Sequence, residues 1–125
     1  MNILIVENDV NLRYLLELLV HTAGHSAILT VHADQALEAF KQFVVDVVIL
    51  DLELPGRDGF YLLGQLRRRS DLPIIAISGF DTDLTAQALE RGAIEIMPKP
   101  FSSLEFQAVV REQLKRYANA KMQAI

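Results

Sequence analysis

Acids, a hydroxyl and an ammonium follow short apolar runs along this chain. Glu7-Asn8-Asp9 comes after NILIV, Asp51 ends VVIL, Ser78 follows PIIAI, and Lys99 comes just after IEIM. Clustered carboxylates with a lysine and a hydroxyl suit metal-assisted phosphoryl chemistry. A hard divalent cation such as magnesium takes oxygen ligands, usually one or two carboxylates together with phosphate oxygens and water. A carboxylate can itself be the nucleophile that accepts a phosphoryl group. An ammonium and a hydroxyl can then hold the phosphoryl oxygens. Each residue also has a local role open to it: Lys99 pairing with an acid, Ser78 capping a turn, Glu7 and Asp9 capping a helix. What favours a shared chemistry is their recurrence at four separate strand ends.

Whether these groups meet depends on the elements that carry them. Val47 to Leu50 is a continuous β-branched and apolar run that leads into Asp51 and is stopped by Pro55-Gly56, the pattern of a central strand buried on both faces of a parallel sheet. Proline removes a backbone donor and glycine relaxes φ, so Asp51 sits where the strand emerges. The pattern predicts strands at 2–6, 26–30, 45–50, 73–77 and 94–97. Between and after them it predicts helices: one capped by Asn8 or Asp9 and closed by Gly24, then Ala33 to Phe43, Asp58 to Arg68 and Asp81 to Arg91, with a last helix capped by Ser102 or Ser103 and carrying Phe106, Val110, Leu114 and Tyr117 on one face. Strand and helix alternate five times. Strands joined by helices run parallel with right-handed crossovers, giving a doubly wound α/β domain with helices on both faces. Ligands of such sheets bind at the carboxyl edge, where all the polar positions fall.

With 125 residues, 51% of them hydrophobic, the chain is long enough for one domain with a real core. The core is expected at about 2–118, with a frayed tail over 119–125. A net charge of -4 argues against nucleic acid as a direct partner. The basic run Arg67-Arg68-Arg69 reads as a solvated helix end, favoured there by the helix dipole. The absence of cysteine fits a reducing compartment. No apolar run reaches the roughly 18 residues of a membrane span, and the N-terminus lacks the basic flank of a signal peptide. These features lead to an expectation of a cytoplasmic domain without membrane contact.

The segments ILIVEND, VVILDLELPGRDGF, PIIAISGF and GAIEIMPKPF together resemble the receiver domain of two-component response regulators over essentially the whole chain. The combination of D-L-x-L-P-G-x-D-G with a later K-P-F is specific to that family. The resemblance implies a five-stranded flavodoxin-like receiver fold with strand order 2-1-3-4-5. It implies Asp51 as phosphoacceptor, a histidine kinase or phosphotransfer protein as donor, and magnesium as cofactor. It carries Ser78 and Lys99 over as the groups contacting the phosphoryl oxygens. Glu7 and Asn8 match the acidic pair at the metal, and Glu53 matches the position whose backbone carbonyl completes the metal shell. Output is implied through the face of the fourth helix, fifth strand and fifth helix, toward a downstream protein. Glu53 and Phe80 match two variable positions that flank water's approach to the phosphoryl group.

Two departures from the family pattern matter. Asn8 offers an oxygen without charge where an acid is usual, which weakens the expected magnesium site unless the Glu53 carboxylate turns inward to replace it. Ile96 stands where a rotating aromatic ring normally relays the switch begun at Ser78. Both departures leave room for another reading, a receiver-like docking module that works through partner surfaces without phosphorylation. A haloacid-dehalogenase-type phosphatase is suggested by Asp51-x-Glu53, but its second acid is normally Asp and its late acidic pair is missing. A flavodoxin would need a hydroxyl- and glycine-rich phosphate loop where Glu7-Asn8-Asp9 stands.

Overall fold

The computed structural model describes residues 1–55, 58–79 and 82–123. Its elements are β1 (Asn2–Val6), α1 (Val10–Thr22), β2 (Ser26–Thr30), α2 (Ala33–Gln42), β3 (Val47–Asp51), α3 (Asp58–Arg69), β4 (Ile74–Ser78), α4 (Thr82–Glu90), β5 (Glu95–Pro98) and α5 (Ser103–Gln123). The five strands form one parallel sheet in the order β2-β1-β3-β4-β5. This is the order that the resemblance implied.

Side chains alternate across each strand, so one strand feeds two cores. Val47 and Ile49 of β3 pack with Ile3, Ile5, Ile75 and Ile77 against Leu16 of α1 and Phe106 of α5. Val48 and Leu50 pack on the other face with Leu4, Val6 and Ala76, against Ala36 of α2, Leu62 and Leu66 of α3, and Ala88 of α4. Every residue of β3 and β4 is buried, as a continuous apolar run requires. Asp51 and Ser78 are therefore the last residues of buried strands rather than the first residues of loops.

The helix ends follow local chemistry. Asp9 is the N-cap of α1; its Oδ1 accepts from the amides of Asn11 at 2.8 Å and Leu12 at 3.1 Å. Ser102 caps α5, its Oγ accepting from Glu105 N at 3.1 Å. Helix α5 outruns the expected boundary at 118. No proline or glycine stops it after Tyr117, and Lys121 lies 4.6 Å over the Tyr117 ring one turn later. Where a frayed tail is expected over 119–125, residues 119–123 continue the helix and are exposed, and 124–125 lie outside the described residues. The expected start of the fourth helix, Asp81, lies outside the described residues.

A second correction concerns the basic run. Arg68 and Arg69 are exposed as expected, but Arg67 is half-buried. Its Nε donates to Gly92 O at 2.7 Å, and its Nη1 donates to Leu72 O at 2.6 Å and Ser70 O at 3.3 Å. Gly92 holds φ at 111°, and a Cβ there would strike the Arg67 side chain, so glycine both makes this turn and admits the guanidinium. Arg67 staples the end of α3 to the segments entering β4 and β5. Arg67→Ala is expected to destabilise the fold by about 2–3 kcal/mol, since it strips a charged donor from carbonyls that are partly removed from water. Urea denaturation should show a lower midpoint at unchanged slope, and an unchanged midpoint would make the staple ornamental.

Candidate functional site

Parallel ladders bring the polar strand ends to one level. Beyond the strands proper, Glu7 N donates to Thr30 O at 3.1 Å, Leu52 N to Ile77 O at 2.9 Å, and Lys99 N to Ser78 O at 2.7 Å. Asp51 faces Ile77 in register, and Ser78 faces Pro98. The carboxyl ends of β1, β3, β4 and β5 thus deliver Glu7, Asp51, Ser78 and Lys99 to one edge.

Asp51 is 3% exposed. Its Oδ1 accepts from Glu53 N at 2.8 Å, which fixes the carboxylate plane. Its Oδ2 lies 3.3 Å from Lys99 Nζ. Glu7 is buried as well; its Oε1 accepts from Asp9 N at 3.0 Å, while Oε2 is buried without a hydrogen-bond partner. Burial pushes the Glu7 carboxyl up to about 7, opposed by the Asp9 amide and then reinforced by the Asp51 carboxylate. Burial pulls the Lys99 ammonium down, but Asp51, then Glu7 and Glu53, outweigh it and hold Lys99 above its ordinary value. The result is two neighbouring buried carboxylates facing a single charged lysine.

Ser78 is fully buried, and its Oγ has no hydrogen-bond partner. By strand alternation it lies on the same sheet face as Ala76 and Ile96, the latter half-buried against the α2-α3-α4 core. Asn8 is exposed beside Glu7. Phe80 lies outside the described residues.

Glu53 turns its side chain toward β4 and β5. Its carboxylate does not join Glu7 and Asp51 as a third acid. Oε1 accepts from Gly79 N at 2.6 Å, and Oε2 lies 3.4 Å from Lys99 Nζ. Among the described residues, no three His, Cys, Asp or Glu side chains converge to hold a metal ion. The reason is electrostatic: a backbone donor and an ammonium attract this carboxylate, whereas two neighbouring carboxylates repel it. The Gly79 amide is a participant that sequence reasoning missed. Backbone donors leave no mark in a sequence, although a glycine directly after Ser78 is the trace of a close approach.

A parallel sheet of this order with an acidic, lysine-bearing carboxyl edge is a flavodoxin-like α/β domain. Residues 3–111 match the response regulator receiver domain, and the chain belongs to that family. The probable transcriptional regulator ycf27 of Porphyridium aerugineum is 34% identical over 119 residues, covering 94% of this chain and 50% of the relative. Sensory transduction protein RegX3 of Mycobacterium tuberculosis is 35% identical over 116 residues, covering 92% of this chain and 51% of the relative. The crystal structure of NtrX from Brucella abortus superposes with a TM-score of 0.93 at 28% identity, covering 98% of this chain and 28% of NtrX. The chain spans about half the length of the curated relatives it matches. Among the described residues no helix is long and apolar enough to cross a membrane.

Proposed function

We propose that this chain is a phosphoacceptor receiver, taking a phosphoryl group onto Asp51 from a phosphohistidine of a histidine kinase or phosphotransfer protein. One observation carries the reading: Asp51 is a buried carboxylate with one oxygen pinned by an amide and the other turned toward an ammonium. The pinned oxygen orients the group, and Oδ2 attacks phosphorus. The P–N bond to the donor imidazole breaks and its electron pair leaves with that nitrogen, the proton on the ring's other nitrogen keeping the departing imidazole neutral, while the phosphoryl group brings its own negative charge to the Asp51 oxygen. Lys99 is within reach of that charge. The unpartnered Ser78 hydroxyl is a donor with nothing else to satisfy it, and a phosphoryl oxygen would provide its acceptor.

The residues present fit magnesium. Two carboxylates side by side, one with a buried oxygen lacking any partner, form a donor set that a divalent cation completes. Glu7 and Asp51 would hold it, Asn8 would add a neutral oxygen, and by family resemblance the Glu53 backbone carbonyl would complete the set. When bound, the cation supplies charge neutralisation for the phosphoryl group. Asn8 in place of an acid weakens that hold by one unit of charge at contact distance.

Signalling runs from Ser78 toward the surface made by α4, β5 and α5, where a downstream protein binds; the cytoplasm is the setting of this reading. Ile96, half-buried against the core with no ring to swing, favours a second reading in which the domain docks partners without being phosphorylated. One experiment separates them. The chain is incubated with a small acyl phosphate, with and without magnesium, and its mass is read. A magnesium-dependent gain of about 80 daltons, one phosphoryl group, is expected. No gain at any magnesium concentration would leave the docking module.

A further inference from the structure

Resting on the phosphoacceptor reading above, we propose that Glu53 is the resident occupant of the seat into which the phosphoryl oxygens must move. Its two carboxylate oxygens span a backbone donor and an ammonium supplied by different strands: Gly79 N, after β4, at 2.6 Å and Lys99 Nζ, after β5, at 3.4 Å. Lys99 is at the same time 3.3 Å from Asp51 Oδ2, the oxygen free to carry a new group. A phosphoryl group on that oxygen would therefore lie between the donors that Glu53 holds. Glu53 is an intramolecular anion standing where the transferred anion goes.

Three features support occupancy over incidental contact. The bond to Gly79 N is short and charge-assisted, the stronger class of hydrogen bond. A Cβ on residue 79 would meet Glu53 Oε1, so the glycine leaves the room that this close approach uses. The Glu53 side chain is 43% exposed, so the carboxylate is held by its two donors and not by packing, and it can swing out to solvent when displaced. The resting state is thereby stabilised against the phosphorylated one. The incoming group must either evict Glu53 or do without its donors while meeting a like charge.

Beryllofluoride, a tetrahedral phosphoryl mimic that bonds to a carboxylate, tests this without group transfer. Its affinity is measured at saturating magnesium for the wild-type chain, Glu53→Gln, Glu53→Asp and Asp51→Asn. Aspartate keeps the charge but is one methylene shorter and falls short of the Gly79 amide. Both Glu53 variants are expected to bind about fivefold more tightly, the equivalent of losing one partly exposed charged hydrogen bond. In ligand-free protein, the Gly79 amide proton should shift upfield in both. Tightening in Glu53→Gln alone would mean that charge acts through space and would overturn occupancy. An unmoved Gly79 resonance, or weaker magnesium binding in Glu53→Gln, would overturn it too, the latter by making Glu53 a metal ligand. Equal beryllofluoride binding by Asp51→Asn and wild type would instead remove the phosphoacceptor reading and leave the Gly79 resonance to judge Glu53.

Discussion

Asp51→Asn is expected to take up no phosphoryl group under conditions that convert the wild-type chain. Asparagine keeps the acceptor that binds Glu53 N, so the loop after β3 should hold its shape. It turns an amide NH2 toward Lys99, however, where Oδ2 now faces the ammonium. An amide oxygen is a poor nucleophile, and the two remaining carboxylates cannot substitute for Asp51. Glu7 is buried with one oxygen bound by Asp9 N, and Glu53 is engaged by Gly79 and Lys99. The loss should therefore be complete, not partial. Intact-mass measurement after incubation with an acyl phosphate and magnesium checks it, with circular dichroism confirming an unchanged fold. Labelling of the variant at the wild-type level would place the acceptor elsewhere.

Glu7→Gln is expected to stabilise the metal-free protein by up to about 3 kcal/mol at pH 8, at roughly 1.4 kcal/mol per tenfold change in proton affinity. Glu7 has an ordinary value of 4.5 and a folded value of about 7. Between those values the folded state binds a proton that the unfolded state has lost. Stability therefore falls as pH rises from about 4.5 through about 7, and the full cost of a buried anion beside Asp51 is felt above that. Glutamine removes the anion, keeps an acceptor for Asp9 N, and adds a donor for the neighbouring Asp51 carboxylate. Near pH 4.5 the two proteins should unfold together. Thermal unfolding across this pH range, in chelator, gives the comparison. On the proposed reading magnesium should then close the gap by stabilising wild type more than the variant, because it would bind only the folded carboxylate pair. A pH-independent difference would mean that packing, not charge, separates the two proteins.

Much of the element map was legible because local signals agreed. Ser26–Thr30 was read to the residue, and the third helix to within one residue of Arg69. Apolar runs bounded by Asp, Gly and Pro mark buried parallel strands, and Asp9 and Ser102 are caps with a defined hydrogen-bonding role. The errors arose where long-range partners decide. Arg67 was read from its neighbours in sequence, yet its guanidinium is set by carbonyls of Gly92 and Leu72, in segments that only tertiary folding brings beside α3. Helix α5 also continues through Gln123, where nothing in 119–123 terminates a helix.

By itself the sequence determined the α/β alternation, and with it the gathering of Glu7, Asp51, Ser78 and Lys99 at one edge, because parallel strands joined by crossovers leave their carboxyl ends on the same side. Only the tertiary structure decided which charge faces which. Glu7 and Glu53 carry the same carboxylate, but one ends in a buried place beside Asp51 and is pushed toward its neutral form, while the other reaches Gly79 N and Lys99. A residue type states what a group can do. Its protonation and its partner depend on how deeply it is buried and on which donors lie within about 3 Å, and those distances are set by the packing of segments far apart in sequence.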